Sequence, residues 1–424
     1  MRIGMYTNQL YYNGGIERVI KELFRIADER GSQCFCLCES GRPQWDEVGG
    51  VECLPQDVAE RQDFLKKWIE RIQPDVFVFH YVKDEVYVHG DLKTLKDYKI
   101  PCVVVRHSSF PSPLLLDGDE TADQKIKRMM RNGCDVIATV SAIDAIWWRA
   151  LGYRAFHVQN PFVMPKGENV QRSVNCLPRK LLWVGRQDVA KRPDMAICVL
   201  AEVLKTIPDA HLTMIGGSEK GWKRYQKLSK QLKVEGNITF IAERPDISDL
   251  WRTADIHLLT SITESFCLVL AEAKAWKIPT AMFEIPFLEL VEKGKGLLVA
   301  KQGEVENLAK QIVQLMDDPK RYYEMANEAF ESLRPFNDEA VWESWKKVFQ
   351  SLDTEDGPQE VSNELQQIVS QIAFAWDNHC ERNLWSIELV RDWNVLFRFS
   401  LRPIAHGLKE TVCFLRQLKR WVGK

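Results

Sequence analysis

Several features that would take this chain out of the ordinary globular class are missing from it. No uninterrupted apolar run reaches the roughly 18 residues that a membrane-crossing helix needs. The opening stretch MRIGMYTNQLYYNGG carries neither an apolar signal core nor a small-residue cleavage site, so the chain is expected to be neither exported by a signal peptide nor membrane-spanning. Charge of one sign is missing too: 57 basic against 59 acidic residues leave a net −2, which argues against nucleic acid as a partner. The eleven cysteines show no paired C-x-x-C spacing and sit in apolar runs such as CFCLC and PCVVV. That pattern points to reduced, buried thiols in cytosol and away from a disulfide scaffold or a zinc site. The glycines after the first strand do not make a G-x-G-x-x-G, which counts against a nicotinamide enzyme.

What the sequence does contain is an alternation. RIGMY reads as a strand, NGG as a turn, and Ile16, Val19, Ile20, Leu23 and Ala27 fall on one helical face. Strands at DVFVFHY, CVVVRH, DVIATVS and AFHVQ then alternate with helices around 60–72, 91–98, 122–132 and 142–151. A Pro- and Gly-containing stretch without period, NPFVMPKGENVQRSVNCLPRK, separates this series from a second one. That series starts at KLLWVG and runs through HLTMIGG, ITFIA, DIHLL, SFCLVLAEAKAW, PTAMF and GLLVA to helices at about 304–316, 320–333 and 338–352. At 424 residues the chain is long enough for two cores. The pattern predicts an α/β protein of two Rossmann-like domains, 1–165 and 178–335, facing a central cleft, a closing helix at 336–352 and a helical extension at 353–424.

Three motifs carry chemistry. Gly14 and Gly15, between the first strand and its helix, let backbone approach a ligand and open a helix N-terminus suited to an anion; a bare tight turn is the alternative. WVGRQDVAKRPD holds the matching place in the second half, with Arg186 and Lys191 able to neutralise a diphosphate. In TESFCLVLAEA, a helix from Ser265 would put Glu264 at its mouth and Glu272 two turns inside. The two would then lie roughly 80° and 12 Å apart, too far to share a proton. The N–H groups of Phe266, Cys267 and Leu268 would fall among the open donors of the first turn.

In this order and spacing NGGIERV, VGRQDVAKRPD, IGGSEKG, ADIHLLTSITESFCLVLAEAKAWKIPT and VEKGKGLLV resemble the retaining GT-B glycosyltransferases of family 4, over roughly residues 1–352. The resemblance implies a nucleotide sugar such as a UDP- or GDP-sugar as donor, with no cofactor and no required metal. It implies that Gly14 and Gly15 meet the donor diphosphate from one side and Arg186 and Lys191 from the other. Glu264 and His107 would face the donor sugar, Phe266, Cys267 and Leu268 give backbone contacts, and Glu272 binds the ribose hydroxyls. Gly216, Gly217, Ile241 and Ala242 would border the nucleoside. The expected reaction is transfer of a hexose to a hydroxyl of a glycan or lipid-linked acceptor, in bacterial cell-surface polysaccharide synthesis. A nucleotide-sugar epimerase and a transferase-like subunit without turnover are the alternatives.

Two departures accompany the likeness. IPFLELVEKGKG lacks the glycine that usually precedes the acid matching Glu289. DGD at 117–119 imitates a metal-binding D-x-D but falls in a loop of a chain organised otherwise. His80, ending DVFVFHY, is expected to be a packed core or strand-end residue, with an acceptor-facing role beside His107 as the alternative. Beyond the resemblance, residues 397–424 carry Arg398, Arg402, Lys409, Arg416, Lys419, Arg420 and Lys424 among Phe, Leu and Trp, with one acid, Glu410. Such a tail suits an anionic membrane surface, which would make a cytoplasmic protein peripheral on the inner face of the cell membrane, or an apolar surface of the protein body or a second subunit.

Overall fold

The computed structural model describes residues 1–10, 14–41, 49–80, 85–109, 120–165, 177–285 and 287–354. Strands β1 (Arg2–Leu10), β2 (Gln33–Gly41), β3 (Val51–Cys53), β4 (Val76–Phe79), β5 (Cys102–Arg106), β6 (Val136–Thr139) and β7 (Ala155–His157) form one parallel sheet, ordered β3-β2-β1-β4-β5-β6-β7. Strands β8 (Lys180–Val184), β9 (His211–Ile215), β10 (Ile238–Ile241), β11 (Ile256–Leu259), β12 (Thr280–Phe283) and β13 (Leu297–Ala300) form the second, ordered β10-β9-β8-β11-β12-β13. The first sheet carries α1 (Gly15–Asp28), α2 (Val58–Ile72), α3 (Glu85–Asp97), α4 (Glu120–Arg131) and α5 (Ala142–Ala150). The second carries α6 (Pro193–Val203), α7 (Glu219–Gln231), α8 (Ser248–Thr253), α9 (Leu268–Ala275), α10 (Glu289–Glu292), α11 (Val305–Met316) and α12 (Pro319–Glu331). The fold is α/β, as expected, and both sheets are covered by helices, which is why their strands read as nearly continuous apolar runs.

Three elements escape the sequence pattern. QCFCLCESG is strand β2, pairing along β1 from Arg2↔Gln33 to Leu10↔Gly41. Its Cys36 and Cys38 are fully buried and serve as small apolar residues, so the cysteines hide a strand rather than mark a site. β3 has three residues and α10 four, too short for any period to register.

The strand order reverses between β1 and β4 in the first sheet and between β8 and β11 in the second. Helices leave the sheet on opposite faces at such a point, and a crevice opens beyond the carboxyl ends of those strands. Gly14 and His80 follow β1 and β4; Arg186, Lys191 and Glu264 follow β8 and β11. The two crevices are joined by one buried core that includes Val19, Ile20 and Leu23 of α1 and Leu270, Ala271 and Ala275 of α9. Phe266 stands between Phe162, a few residues past β7, and Phe336, with ring centroids 6.5 and 6.2 Å away.

Helix α13 (Asp338–Ser351) returns to the first domain. Asp338 pairs with Arg25 at 2.8 Å, Ser344 accepts the Gln159 backbone N–H at 3.0 Å, and Trp345 packs against His80. Among the described residues no helix is long and apolar enough to cross a membrane. The 117–119 DGD and the basic 397–424 tail lie outside the described residues.

Candidate active site

The loop after β8 is shaped by hydrogen bonds to β11. Thr260, at the end of β11, bonds the carbonyls of Lys191 and Arg192 at 2.8 Å and accepts the Trp183 indole N–H at 2.9 Å. The Ile262 N–H reaches the Ala190 carbonyl at 2.9 Å. This stitching brings Lys191 to Glu264, Nζ to Oε1 2.5 Å, and Ser261 Oγ donates to the same oxygen at 2.7 Å. Burial alone would lower the Lys191 ammonium, but the Glu264 carboxylate outweighs it and holds the group above its ordinary value. The result is a fixed cation at the cleft. Arg186 is placed differently: its side chain is 77% exposed and its guanidinium meets Asp188 at 3.0 Å. The two cations expected to act together are brought to one loop, one held and one solvated.

The TESFCLVLAEA stretch corrects the sequence expectation. The helix begins at Leu268, not Ser265, because Cys267 adopts left-handed φ 66°, ψ 72° and caps it there. Glu264 therefore sits in the loop four residues ahead of the helix, held by Lys191 and Ser261, and Glu272 lies about one turn inside. The helical spacing of 80° and 12 Å does not apply, since residues 264–267 are not helical. The ring of Phe266 and the thiol of Cys267 are buried, and the first-turn N–H groups of Leu268 and Val269 have no intrahelical partner.

Opposite stands the N-terminus of α1. A Cβ on Gly15 would touch Leu268 Cδ1 at 3.6 Å, so the first turns of α1 and α9 lie against each other across the cleft. Three residues further along α1 and four along α9, Arg18 and Glu272 form an ion pair between the domains. Two helix N-termini thus converge beside Lys191, an arrangement that favours an anion. Helix α9 is anchored from behind by Lys274, whose Nζ donates to the Lys295 carbonyl at 2.6 Å and to Ser332 Oγ at 2.9 Å; burial lowers its pKa to about 8.

His107, just past β5, joins this lip. Its carbonyl accepts Ser265 Oγ–H at 2.6 Å, and Ser109 bonds Thr263 at 2.8 Å, both across the cleft. His107 Nε2 lies 3.2 Å from His80 Nδ1. Burial, then the neighbouring Arg106, pulls His107 down to about 3, and burial followed by His107 holds His80 well below its usual value, so both rings are neutral near pH 7. His80 is a buried strand-end residue, but one that touches a candidate site residue.

Gly216, Gly217, Ile241 and Ala242, expected to border the nucleoside, lie together at the ends of β9 and β10. Gly216 has φ 137°, where an added Cβ would run into the Gly185 carbonyl, so the ends of β8 and β9 can come together only without a side chain. Gly217 has φ 59° and its carbonyl accepts the Glu243 N–H at 2.8 Å. The Ile241 carbonyl accepts both the Gly216 N–H at 3.2 Å and the Trp222 indole N–H at 2.9 Å. Ala242 follows it at the same edge. Glu289, where the motif departs from the family, is buried at the start of α10 and meets His157 of β7 at 3.2 Å and Lys293 at 3.4 Å. Burial would raise its carboxyl, but contact with the His157 ring and with the Lys293 ammonium holds it below its ordinary value. Among the described residues no three His, Cys, Asp or Glu side chains converge as a metal-holding group.

Sequence reasoning missed Ser261, Thr260, Arg18 and the Ser109–Thr263 contact. Arg18 was inside a quoted motif, one helical turn past Gly14, and that spacing was the available signal.

Comparison with known proteins places the chain in a family. Residues 13–166 match the family Glycosyltransferase Family 4 and residues 171–332 match Glycosyl transferases group 1. An uncharacterized glycosyltransferase of Haemophilus influenzae is 22% identical over 363 residues, 82% of this chain and 99% of that one. A D-inositol 3-phosphate glycosyltransferase of Corynebacterium aurimucosum is 29% identical over 163 residues, which is 37% of this chain and only 39% of the relative. The crystal structure of Anabaena HepE in complex with UDP-glucose superposes with a TM-score of 0.65 at 14% identity, covering 82% of this chain and all of that one (100%). With both halves matched in order and the two-sheet fold shared over 82% of its length, the chain belongs to the group 1 glycosyltransferases of GT-B fold.

Proposed function

We propose that this glycosyltransferase moves a hexose from a nucleoside-diphosphate donor to a hydroxyl of a glycan or lipid-linked acceptor, with retention of anomeric configuration and without a metal, in cytoplasmic assembly of a cell-surface polysaccharide. The observation that carries the reading is the Lys191–Glu264 pair beside the converging N-termini of α1 and α9. The charge that develops in the reaction is that of the departing diphosphate, and a preorganised ammonium with oriented N–H groups is where such charge is stabilised. Arg186, exposed on the same loop, closes onto the diphosphate as a second cation. Glu264 orients Lys191 and takes hydroxyls of the donor sugar; His107, kept neutral, supplies a further hydrogen bond there. Same-face attack uses a leaving phosphate oxygen to take the acceptor's proton, because no second carboxylate stands opposite Glu264 as a nucleophile or base in the described site. A fold neighbour described with UDP-glucose supports a UDP-hexose as the first donor to try.

The test is donor turnover with UDP- and GDP-hexoses, with and without EDTA, followed by NMR of the product anomer. Nucleoside diphosphate released with retention and undiminished by EDTA is the expected result. An inverted product removes retention, activity lost with EDTA and restored by a divalent cation removes the metal-free step, and donor epimerised without any acceptor replaces transfer altogether.

The basic, aromatic 397–424 segment is read as the contact with an anionic membrane. Deleting it should abolish sedimentation with phosphatidylglycerol vesicles while leaving donor turnover in solution. Unchanged sedimentation, or loss of a dimer in its place, would show that the segment packs on protein.

A further inference from the structure

The ion pair between Arg18 and Glu272 has no place in the chemistry above. Arg18 lies on α1 of the first domain and Glu272 on α9 of the second, so the pair forms only when the domains meet. Glu272 is nearly removed from water, its side chain 8% exposed, while that of Arg18 is 34% exposed. The helices hold both in place: Gly15 abuts Leu268 one turn ahead, and Val19 and Ile20 share a core with Leu270 and Ala271 alongside. A guanidinium reaching the carboxylate from across the cleft fixes the direction in which its second oxygen faces.

Building on the donor-site reading of Glu272, we infer that Arg18 is a positioning residue: its guanidinium aims the Glu272 carboxylate at the ribose 2′- and 3′-hydroxyls and so sets the preference for ribonucleotide over 2′-deoxyribonucleotide donors. The first domain thereby takes part in reading a nucleoside held by the second. One Glu272 oxygen goes to Arg18 and leaves the other to accept from the sugar hydroxyls, so the charge-assisted bonds to ribose depend on a residue that need not touch the ligand.

The experiment is calorimetric titration of the whole chain with UDP and 2′-deoxy-UDP, and with GDP and 2′-deoxy-GDP. Wild type, Arg18→Gln, Arg18→Lys and Glu272→Gln are compared, with melting temperatures recorded for each. The wild type should prefer the ribonucleotide about tenfold, the size of one hydrogen bond to a charged group. Arg18→Gln should bring that ratio toward one while affinity for the deoxynucleotide stays nearly constant, and Arg18→Lys should recover part of it. Equal weakening of both nucleotides, or an unchanged ratio in Arg18→Gln, overturns the assignment. Glu272→Gln separates this from the reading on which it rests. A wild-type ratio surviving in Glu272→Gln means that Glu272 does not read ribose at all. A ratio lost in Glu272→Gln but intact in Arg18→Gln removes the role of Arg18 alone.

Discussion

Replacing Lys191 by alanine is expected to lower kcat by about 10²- to 10³-fold, ~2.7–4 kcal/mol, the usual cost of removing one preorganised donor from a developing anion. The side chain is fixed before any substrate arrives. Its backbone N–H is bonded to Asp188 at 3.1 Å, its carbonyl to Thr260, and its ammonium to Glu264. Nothing need reorganise when charge builds on the leaving group. The variant also leaves Glu264 with Ser261 as its bonded neighbour, free to turn away from the donor sugar. Arg186→Ala should lose less, about tenfold, because a guanidinium 77% exposed and screened by water acts weakly until it closes. Single-turnover release of nucleoside diphosphate measures both, with melting curves as the control for folding. Near wild-type turnover in Lys191→Ala would end the diphosphate assignment for that residue.

The largest loss of stability should come from Arg61→Met, roughly 3–5 kcal/mol, because it leaves two carboxylates in the interior without their cation. Arg61 is completely buried. It reaches Asp91 through Nε at 3.1 Å and Nη2 at 2.6 Å, and both oxygens of Glu39 through Nη1 at 2.8 and 2.9 Å. Tyr6 adds a 2.6 Å bond to Glu39 and Gln62 a 2.9 Å bond to Asp91, so the network ties β1, β2, α2 and α3 together.

The deficit should depend on pH in a defined direction. Burial already raises the Asp91 carboxyl above its ordinary range, against the pull of Arg61, and losing the guanidinium raises it further. A group whose folded-state value lies above its unfolded one stabilises the fold at low pH and loses that contribution as pH rises through the folded value. The gap between variant and wild type should therefore narrow on going from pH 7.5 to pH 5. Urea melts at the two pH values measure it, and equal gaps would show that the carboxylates find other partners.

How much of this was readable in advance differs from residue to residue. Lys191 and Glu264 were legible because a cation after one strand and an acid after another, each at a strand-to-helix turn, fall by topology at the crevice. Arg61 was not: in VAERQDFLKKWIERI it looks like any charge on a surface helix, and its burial depends on Glu39 and Asp91 arriving from a strand and a helix elsewhere. Strand β2 was missed because alternating cysteines resemble a thiol cluster more than a pleat. The start of α9 was misplaced by three residues because SFCL holds no glycine or proline to mark a boundary, whereas Cys267 is held left-handed in a buried turn.

By itself the sequence determined the α/β alternation, the break between two sheets and the order of motifs at strand ends, because these rest on periodicity and turn chemistry that neighbouring residues set locally. Only the tertiary structure decided which side chains meet. Lys191 with Glu264, His80 with His107, Arg18 with Glu272 and His157 with Glu289 are pairs 73, 27, 254 and 132 positions apart. They are joined because two helix-covered sheets bury a common core and press their carboxyl ends together. A pattern of near neighbours places each group on its element, but the partner and charge state of each come from packing across the cleft.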